Sequence, residues 1–327
     1  MRICIYGLGA IGGLIAARLA ASGATVSAVA RGATLEAVRR DGLGLVEGES
    51  TTRVPLAAAG RPAELGPQDL VVLAVKTTGL PTVAREIAPL LGPDTAVLSA
   101  MNGVPWWFCH GLAPKLASLR LDAVDPGGAL SQAIVPSRVI GCVTHLSAAV
   151  EAPATVRPVA GKRLIVGEPT GGADTPRARA AIQALSDAGF EVQPAASIQQ
   201  EIWFKLWGNM TVNPISALTG ATGDRILDDE LVRAFMSRCM REAAALGAKL
   251  GLPIDADPEA RHAVTRQLGA FRTSMLQDVD AGRAVELDAL VGAVLQLARQ
   301  LDVPTPNIDT LFGLARLQAR VRGLYPN

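Results

Sequence analysis

Aromatic residues are scarce in this chain of 327 residues, at 4% of the total, and histidine is scarcer still, with three copies. The histidines are scattered, so no ligand set for a structural zinc site is present. The four cysteines (Cys4, Cys109, Cys142 and Cys239) form no C-x-x-C pair and show no pairing spacing, which fits a reducing, cytoplasmic setting better than a disulfide scaffold. Neither sign of charge is in excess: 31 Lys and Arg face 30 Asp and Glu, for a net charge of +1. The electrostatic footprint of a nucleic-acid-binding or anionic-membrane protein is therefore missing, and neither partner is expected. No apolar run reaches the ~18 residues that a membrane-spanning helix needs. The opening residues, Met1-Arg2 followed by ICIYGLGAIGGLIAA, have the outline of a secretory signal. Four glycines break that stretch and Arg18 ends it early, so a strand, a glycine turn and a helix account for it better.

What is abundant is core-forming material. Hydrophobic residues make up 49% of the chain and charged residues 19%. The length favours two domains, because single cores stop growing near ~250–300 residues. The first half alternates short apolar runs with helical patterns. Strands are predicted at 2–6, 24–30, 70–75 and 96–100, then at 139–150, 163–167 and 190–193, with helices at 10–21 and 176–188. Such alternation means a parallel sheet with crossover helices. From about Ser197 the strand-like runs stop, and 201–212, 228–250, 258–278 and 286–301 carry helical periodicity. The expected division is an α/β domain at 1–195 and an all-helical domain at 196–327.

Gly7-Leu8-Gly9-Ala10-Ile11-Gly12 is a G-x-G-x-x-G motif placed after a predicted strand and at the start of a helix. In that context it is a dinucleotide fingerprint. Gly7 permits the tight turn, Gly9 lets backbone approach a pyrophosphate, and Gly12 lets helix pack closely on strand. The pyrophosphate would rest on the helix N-terminus, where unpaired N–H groups favour anions. The second strand ends Val29-Ala30-Arg31-Gly32, with no carboxylate to accept from a ribose 2′-hydroxyl. Arg31 stands where a 2′-phosphate needs a cation, so NADPH is expected over NADH. Arg39 and Arg40 read as ordinary surface charges.

In the second half, Lys205, Asn209 and Asn213 fall at i, i+4 and i+8 and drift only ~80° around a helix, so they line one face. Trp203, Phe204, Leu206 and Trp207 surround them with apolar surface, in which a lysine and two carboxamides need polar partners. Pro214 disfavours helix at Asn213, so a kink is expected there. A simpler reading of Lys205 is an i, i+4 ion pair with Glu201. Further on, Ser274 and Asp278 share a predicted helix face, Gly282 should end that helix, and Glu286 should lie near the start of the next. Glu286 can also be read as charge at a helix N-terminus, and Ser274 as a solvated helix residue. Lys76 and Asn102-Gly103 follow predicted strands at the carboxyl ends where parallel sheets bind ligands. His145 reads as structural.

Together these residues resemble the ketopantoate reductase (2-dehydropantoate 2-reductase) family over most of the chain. The resemblance rests on the glycine motif, Arg31, Lys76, Asn102-Gly103, the Lys205/Asn209/Asn213-Pro214 block and the Ser274-Met-Leu-Gln-Asp278…Glu286 block. It implies a Rossmann-type doubly wound sheet followed by an all-α domain, and NADPH-dependent reduction of ketopantoate to (R)-pantoate on the route to pantothenate and coenzyme A. By the same resemblance Lys205 is the general acid, Glu286 orients the substrate, and Asn102 lies near the nicotinamide and the carbonyl. Asn209, Asn213, Ser274 and Asp278 belong to the substrate site. Gly7, Leu8, Gly9, Ala10, Ile11, Gly12, Arg31, Lys76, Asn102 and Glu286 belong to the cofactor site. Partial burial lowers a lysine pKa toward neutrality, which suits proton donation. Other readings on the same scaffold are reduction of a different 2-oxo acid or imine, and a non-catalytic NADPH-binding regulator.

Two stretches depart from the family pattern: the insertion from Gly103 to about Val139, with Trp106-Trp107-Phe108, and Ala154-Thr-Val-Arg157-Pro158. Both are expected on the substrate side, the aromatics lining a pocket or covering an interface. The apolar C-terminal helices could support a homodimer.

Overall fold

The computed structural model describes residues 1–326, which fall into two compact units. One comprises Met1–Met101 and Gly128–Ile198; the other comprises Asn102–Gly127 and the chain from Gln199 onward. Against an expected boundary at 195/196, the chain divides between Ile198 and Gln199. The aromatic segment is the difference: it leaves the sheet unit after Met101 and packs with the helices.

The first unit is built on a ten-stranded sheet in the order β4-β3-β9-β8-β7-β6-β1-β2-β5, with β10 paired to β9. The strands are β1 (Arg2–Tyr6), β2 (Thr25–Val29), β3 (Leu43–Glu47), β4 (Ser50–Val54), β5 (Ala57–Ala59), β6 (Gln68–Leu73), β7 (Leu91–Ser99), β8 (Val139–Ala152), β9 (Thr155–Gly167) and β10 (Glu191–Pro194). Pairing is parallel from β8 through β7, β6 and β1 to β2. β8 and β9 form a long antiparallel hairpin whose turn holds Ala154 at φ 56°. Because the central parallel strands are covered on both faces, they are apolar throughout: Ile3, Cys4, Ile5, Val71, Val72, Val97 and Leu98 are all buried. Helices α1 (Ala10–Ala21), α2 (Gly32–Asp41), α3 (Leu80–Glu86), α5 (Ala129–Ala133) and α6 (Pro176–Asp187) belong to this unit.

Helix α1 is Ala- and Gly-rich because it lies directly on the sheet. A Cβ on Gly12 would overlap the Gly7 carbonyl oxygen, and one on Gly13 would come within 2.7 Å of Val156 on β9. From Thr155 on, the segment 154–158 is thus part of the sheet. Val156 packs on α1 in the core, and Arg157 pairs with Glu151 at the surface of the hairpin, so both residues serve the sheet.

The second unit is helical. It contains α4 (Pro114–Ala117), α7 (Ile198–Thr219), α8 (Gly223–Asp228), α9 (Glu230–Leu250), α10 (Pro258–Arg266), α11 (Ser274–Asp280), α12 (Ala293–Gln300) and α13 (Pro306–Val321). A π-helical turn over Asp288–Gly292 leads into α12. The single helix expected over 258–278 is two, split where Gly269 takes a φ of 65°. Asp229 caps α9 by accepting from Leu231 and Val232, which separates it from α8. Trp106, Trp107 and Phe108 are 5%, 1% and 0% exposed, and Phe108 meets Trp203 at 5.9 Å between ring centres. They make core, which corrects the expectation that they line a pocket or cover an interface. Among the described residues no helix is long and apolar enough to cross a membrane, and no cluster that could hold a metal ion is present.

Candidate active site

In the first unit, the turn after β1 shows what each glycine of the motif does. Gly7 takes a φ of +102°, and a Cβ there would stand 2.7 Å from Val75 Cγ1. Gly12 brings α1 against that turn. Gly9, by contrast, has nothing within 4 Å of the position a Cβ would occupy. It is open where a ligand would approach, and it precedes a helix whose first N–H groups receive no side-chain cap. A pocket of about 270 Å³ opens here, lined by residues that include Tyr6, Gly7, Leu8, Ala30, Arg31 and Thr34. Open space over Gly9, uncapped helix N–H groups and an adjacent arginine suit the pyrophosphate and 2′-phosphate of a dinucleotide.

Arg31 sits at the N-terminus of α2 and its side chain is 60% exposed. It is not waiting unpaired: its guanidinium bonds Glu86 on α3 at 2.9 Å, and the Tyr6 hydroxyl donates to the same carboxylate at 3.2 Å. Burial and the Glu86 charge push the Tyr6 hydroxyl up to about 12. Sequence reasoning missed Glu86, because a lone glutamate in the helix LPTVARE carries no signal. Lys76 follows Val75, which lines the pocket, and is itself exposed.

In the second unit, α7 carries Lys205, Asn209 and Asn213 on one face, and Lys205 Nζ donates to Asn102 Oδ1 at 2.8 Å. Lys205 and Asn209 are half-buried and Asn213 is buried. Helix α7 runs past Asn213 to Thr219 with Pro214 inside it, so the proline does not end the helix. It only removes the donor that would have served the Met210 carbonyl. The indole of Trp207 donates to the Met240 carbonyl at 2.7 Å, anchoring the opposite side of α7 to α9.

Asn102 is held by its neighbours. Gly103 takes a φ of +81°, and a Cβ there would stand 2.5 Å from the Ala289 carbonyl oxygen. The Val104 N–H donates to that same oxygen at 2.8 Å. Ala289 lies in the π-helical turn that begins just after Glu286, and the Leu290 N–H donates to the Glu286 carbonyl at 3.2 Å. The segments bearing Asn102 and Glu286 are therefore tied by one carbonyl. A π-turn at such a place is a frequent mark of a functional site. On the far side of Glu286, the Val285 N–H donates to Leu324, and the Tyr325 hydroxyl donates to Asp288 at 2.7 Å.

Ser274 and Asp278 part company. Ser274 is exposed at the start of α11, behind Thr273, which caps that helix. Asp278 is buried and accepts from Arg283 Nε at 3.0 Å. Gly282, at φ 63°, turns the chain back as expected, and the Arg283 N–H closes the turn on the Asp278 carbonyl. His145 lies in β8 opposite Arg163, a strand position.

The fold and these two sites define a class: a Rossmann-type dinucleotide-binding unit joined to an all-helical unit that presents lysine and carboxamide groups. The comparisons with known proteins are specific. Residues 3–171 match the family model "Ketopantoate reductase PanE/ApbA", and residues 197–319 match its C-terminal companion. The chain belongs to the ketopantoate reductase family. It is 47% identical to the 2-dehydropantoate 2-reductase of Mesorhizobium japonicum, with 99% of this chain and 100% of that one covered. A solved structure from Ralstonia solanacearum, assigned to the ketopantoate reductases, matches with a TM-score of 0.95 at 53% identity, covering 99% of each chain. The 2-dehydropantoate 2-reductase of Geobacter metallireducens matches with a TM-score of 0.82 at 25% identity, over 97% of this chain and 99% of that one.

Proposed function

We propose that this protein reduces ketopantoate to (R)-pantoate with NADPH, the step that feeds pantothenate and coenzyme A synthesis. The observation that carries the reading is the 2.8 Å bond from Lys205 to Asn102 on a helix face shared with Asn209 and Asn213. Bound NADPH supplies a hydride to the carbonyl carbon. Negative charge then builds on the carbonyl oxygen, and Lys205 relieves it by donating a proton there. Asn102 accepts from the lysine through Oδ1, which leaves its amide nitrogen as the end able to donate to a substrate oxygen. Glu286, fixed between two backbone tethers, orients the substrate hydroxyl. Asn209, Asn213 and Ser274 supply further polar contacts, while Asp278 serves the site by holding Arg283 and the turn beneath Glu286. Gly7, Gly9 and the uncapped α1 N-terminus hold the pyrophosphate, Arg31 the 2′-phosphate, and Lys76 the junction of cofactor and substrate.

Following NADPH oxidation at 340 nm with ketopantoate and a panel of other 2-oxo acids tests this. Turnover with ketopantoate at the highest kcat/KM supports it, and a preference for another acid replaces the substrate. We also propose that Leu314, Leu317 and Val321, an exposed apolar stripe on α13, serve a homodimer; sedimentation of wild type against Leu317→Glu checks this.

A further inference from the structure

Tyr6 ends β1 and is only 4% exposed, yet its side chain lines the pocket beside the glycine turn. Its phenol has one hydrogen to give, and gives it to Glu86 Oε2 at 3.2 Å. A carboxylate only accepts, so the direction of this bond is fixed. Burial and the Glu86 charge push the hydroxyl up to about 12, so it stays protonated. What the phenolic oxygen offers a ligand is therefore a lone pair and not a hydrogen. Arg31 Nη2 donates to the same carboxylate oxygen at 2.9 Å. Once Arg31 turns to a 2′-phosphate, Tyr6 is the side-chain donor left to Glu86 among the described residues, and the polarity of the hydroxyl is held more firmly.

The rest of the lining suits a flat ring. Leu8, Val29, Ala30 and Val75 give apolar walls, and Thr82 enters from α3. Thr82 and Glu86 stand at i and i+4, the spacing of one helix face, so the carboxylate continues the wall that Thr82 begins. Arg31 and the end of β2 mark this as the adenosine side of the glycine turn.

We infer that Tyr6 selects the adenine ring of the cofactor by accepting from its exocyclic amine. The inference rests on the reading of this pocket as the dinucleotide site. Adenine carries a donor at N6. A purine with oxygen at that position would set acceptor against acceptor, and a site built to pair one polar group rejects a ligand that cannot supply it. Glu86 acts through Tyr6: by taking the hydrogen, it decides which kind of group the phenol reads.

The test compares NADPH with nicotinamide hypoxanthine dinucleotide phosphate, in which oxygen replaces the amine. Dissociation constants are measured by titrating nicotinamide fluorescence in wild type, Tyr6→Phe, Glu86→Gln and Arg31→Ala, and thermal melts report folding. Wild type is expected to bind NADPH at least about tenfold more tightly than the analogue. Tyr6→Phe brings the two within about threefold, by loss on the NADPH side. Glu86→Gln narrows the gap from the other side. Its amide donates to the phenolic oxygen, which frees the hydroxyl hydrogen for the 6-oxo group. Its loss of charge near the 2′-phosphate acts on both ligands alike and drops out of the ratio. Wild type that does not distinguish the two ligands overturns the inference, as does a folded Tyr6→Phe that keeps the wild-type ratio. If Tyr6→Phe does not fold, an unchanged ratio in Glu86→Gln overturns it instead. NADPH affinity unchanged in both Arg31→Ala and Tyr6→Phe removes the cofactor from this pocket altogether. Weakened NADPH in Arg31→Ala, with the base preference unmoved in Tyr6→Phe, removes only the role given to Tyr6.

Discussion

Lys205 and Asn102 lie 103 positions apart in the chain and are joined by a 2.8 Å hydrogen bond from ammonium to carboxamide oxygen. The bond fixes where the ammonium points before any substrate arrives. If Lys205 is the general acid, Lys205→Ala lowers kcat by about 10²–10⁴. NADPH affinity, measured by fluorescence titration, stays within about twofold of wild type. Unchanged kcat removes Lys205 from the chemistry.

The glycines of the first turn separate a ligand role from a packing role. At Gly9 a methyl group meets no protein atom within 4 Å, and its φ of −74° suits alanine. Gly9→Ala should melt like wild type yet bind NADPH at least about tenfold more weakly, because the methyl intrudes on the pyrophosphate. Gly12→Ala should lose both, since its methyl overlaps the Gly7 carbonyl; overpacking of this kind costs about 1–3 kcal/mol. Thermal melts with parallel titrations decide both.

Glu86 competes with any phosphate for Arg31. Glu86→Gln removes a negative charge from the place where the 2′-phosphate is expected, so NADPH should bind a few-fold tighter while NADH changes little. Arg31→Ala should weaken NADPH far more than NADH. Equal changes for the two cofactors in either variant contradict the 2′-phosphate contact.

His262 is buried against Ser237, whose hydroxyl lies 2.9 Å from Nε2. Burial first, and then Arg233, Arg266 and Arg261, hold its pKa below 6.5, with Glu259 opposing. A histidine whose folded pKa is depressed gives the unfolded chain the greater proton uptake below pH 6.5. Its stabilising contribution is therefore whole above that pH and is lost as pH falls from 6.5 through the folded pKa. Urea unfolding between pH 7.5 and 5 should show declining stability that is flatter in His262→Gln. Identical slopes would assign the loss to other groups.

Tyr325 reaches back to Asp288 beside the segment that bears Glu286. Tyr325→Phe removes that donor and leaves a half-buried carboxylate short of a partner, at a cost of about 1–3 kcal/mol. Because the π-turn then holds Glu286 less firmly, KM for the 2-oxo acid should rise more than kcat falls. A variant with wild-type KM and lowered melting temperature would confine Tyr325 to stability.

The parts of the molecule most legible in the sequence are those where backbone geometry restricts the residue. Strand β1 and helix α1 come out at the expected residues because a buried strand, a glycine turn and a small-residue helix leave few alternatives. The short strands β3, β4 and β5 were missed. β4 is mostly exposed and its sequence STTRV carries no apolar alternation. The last helix, α13, was not among the expected helices; Pro306 sits at its first helical position, where its missing N–H costs nothing. In the site, Lys205, Asn209 and Asn213 could be placed on one face by helical spacing. The bond to Asn102 and the Glu86 partner of Arg31 are contacts between distant segments, and local pattern holds no trace of them. The aromatic triplet shows the limit most clearly: three large apolar residues in a row fit a pocket, a surface or a core equally, and only their partner Trp203 decides.

The excursion of Asn102–Gly127 means that the chain passes from one unit to the other three times. Proteolysis or truncation at Ile198 cannot release two self-sufficient halves. The amino-terminal fragment would carry Trp107 and Phe108 stripped of the helix that shelters them, a greasy arm inviting aggregation. The carboxy-terminal fragment would keep Lys205 but lose the asparagine that steers it. Gene fusions, split reporters and expression of single halves are therefore better planned around the intact polypeptide, and a transplant of the helical unit would have to bring residues 102–127 along with it.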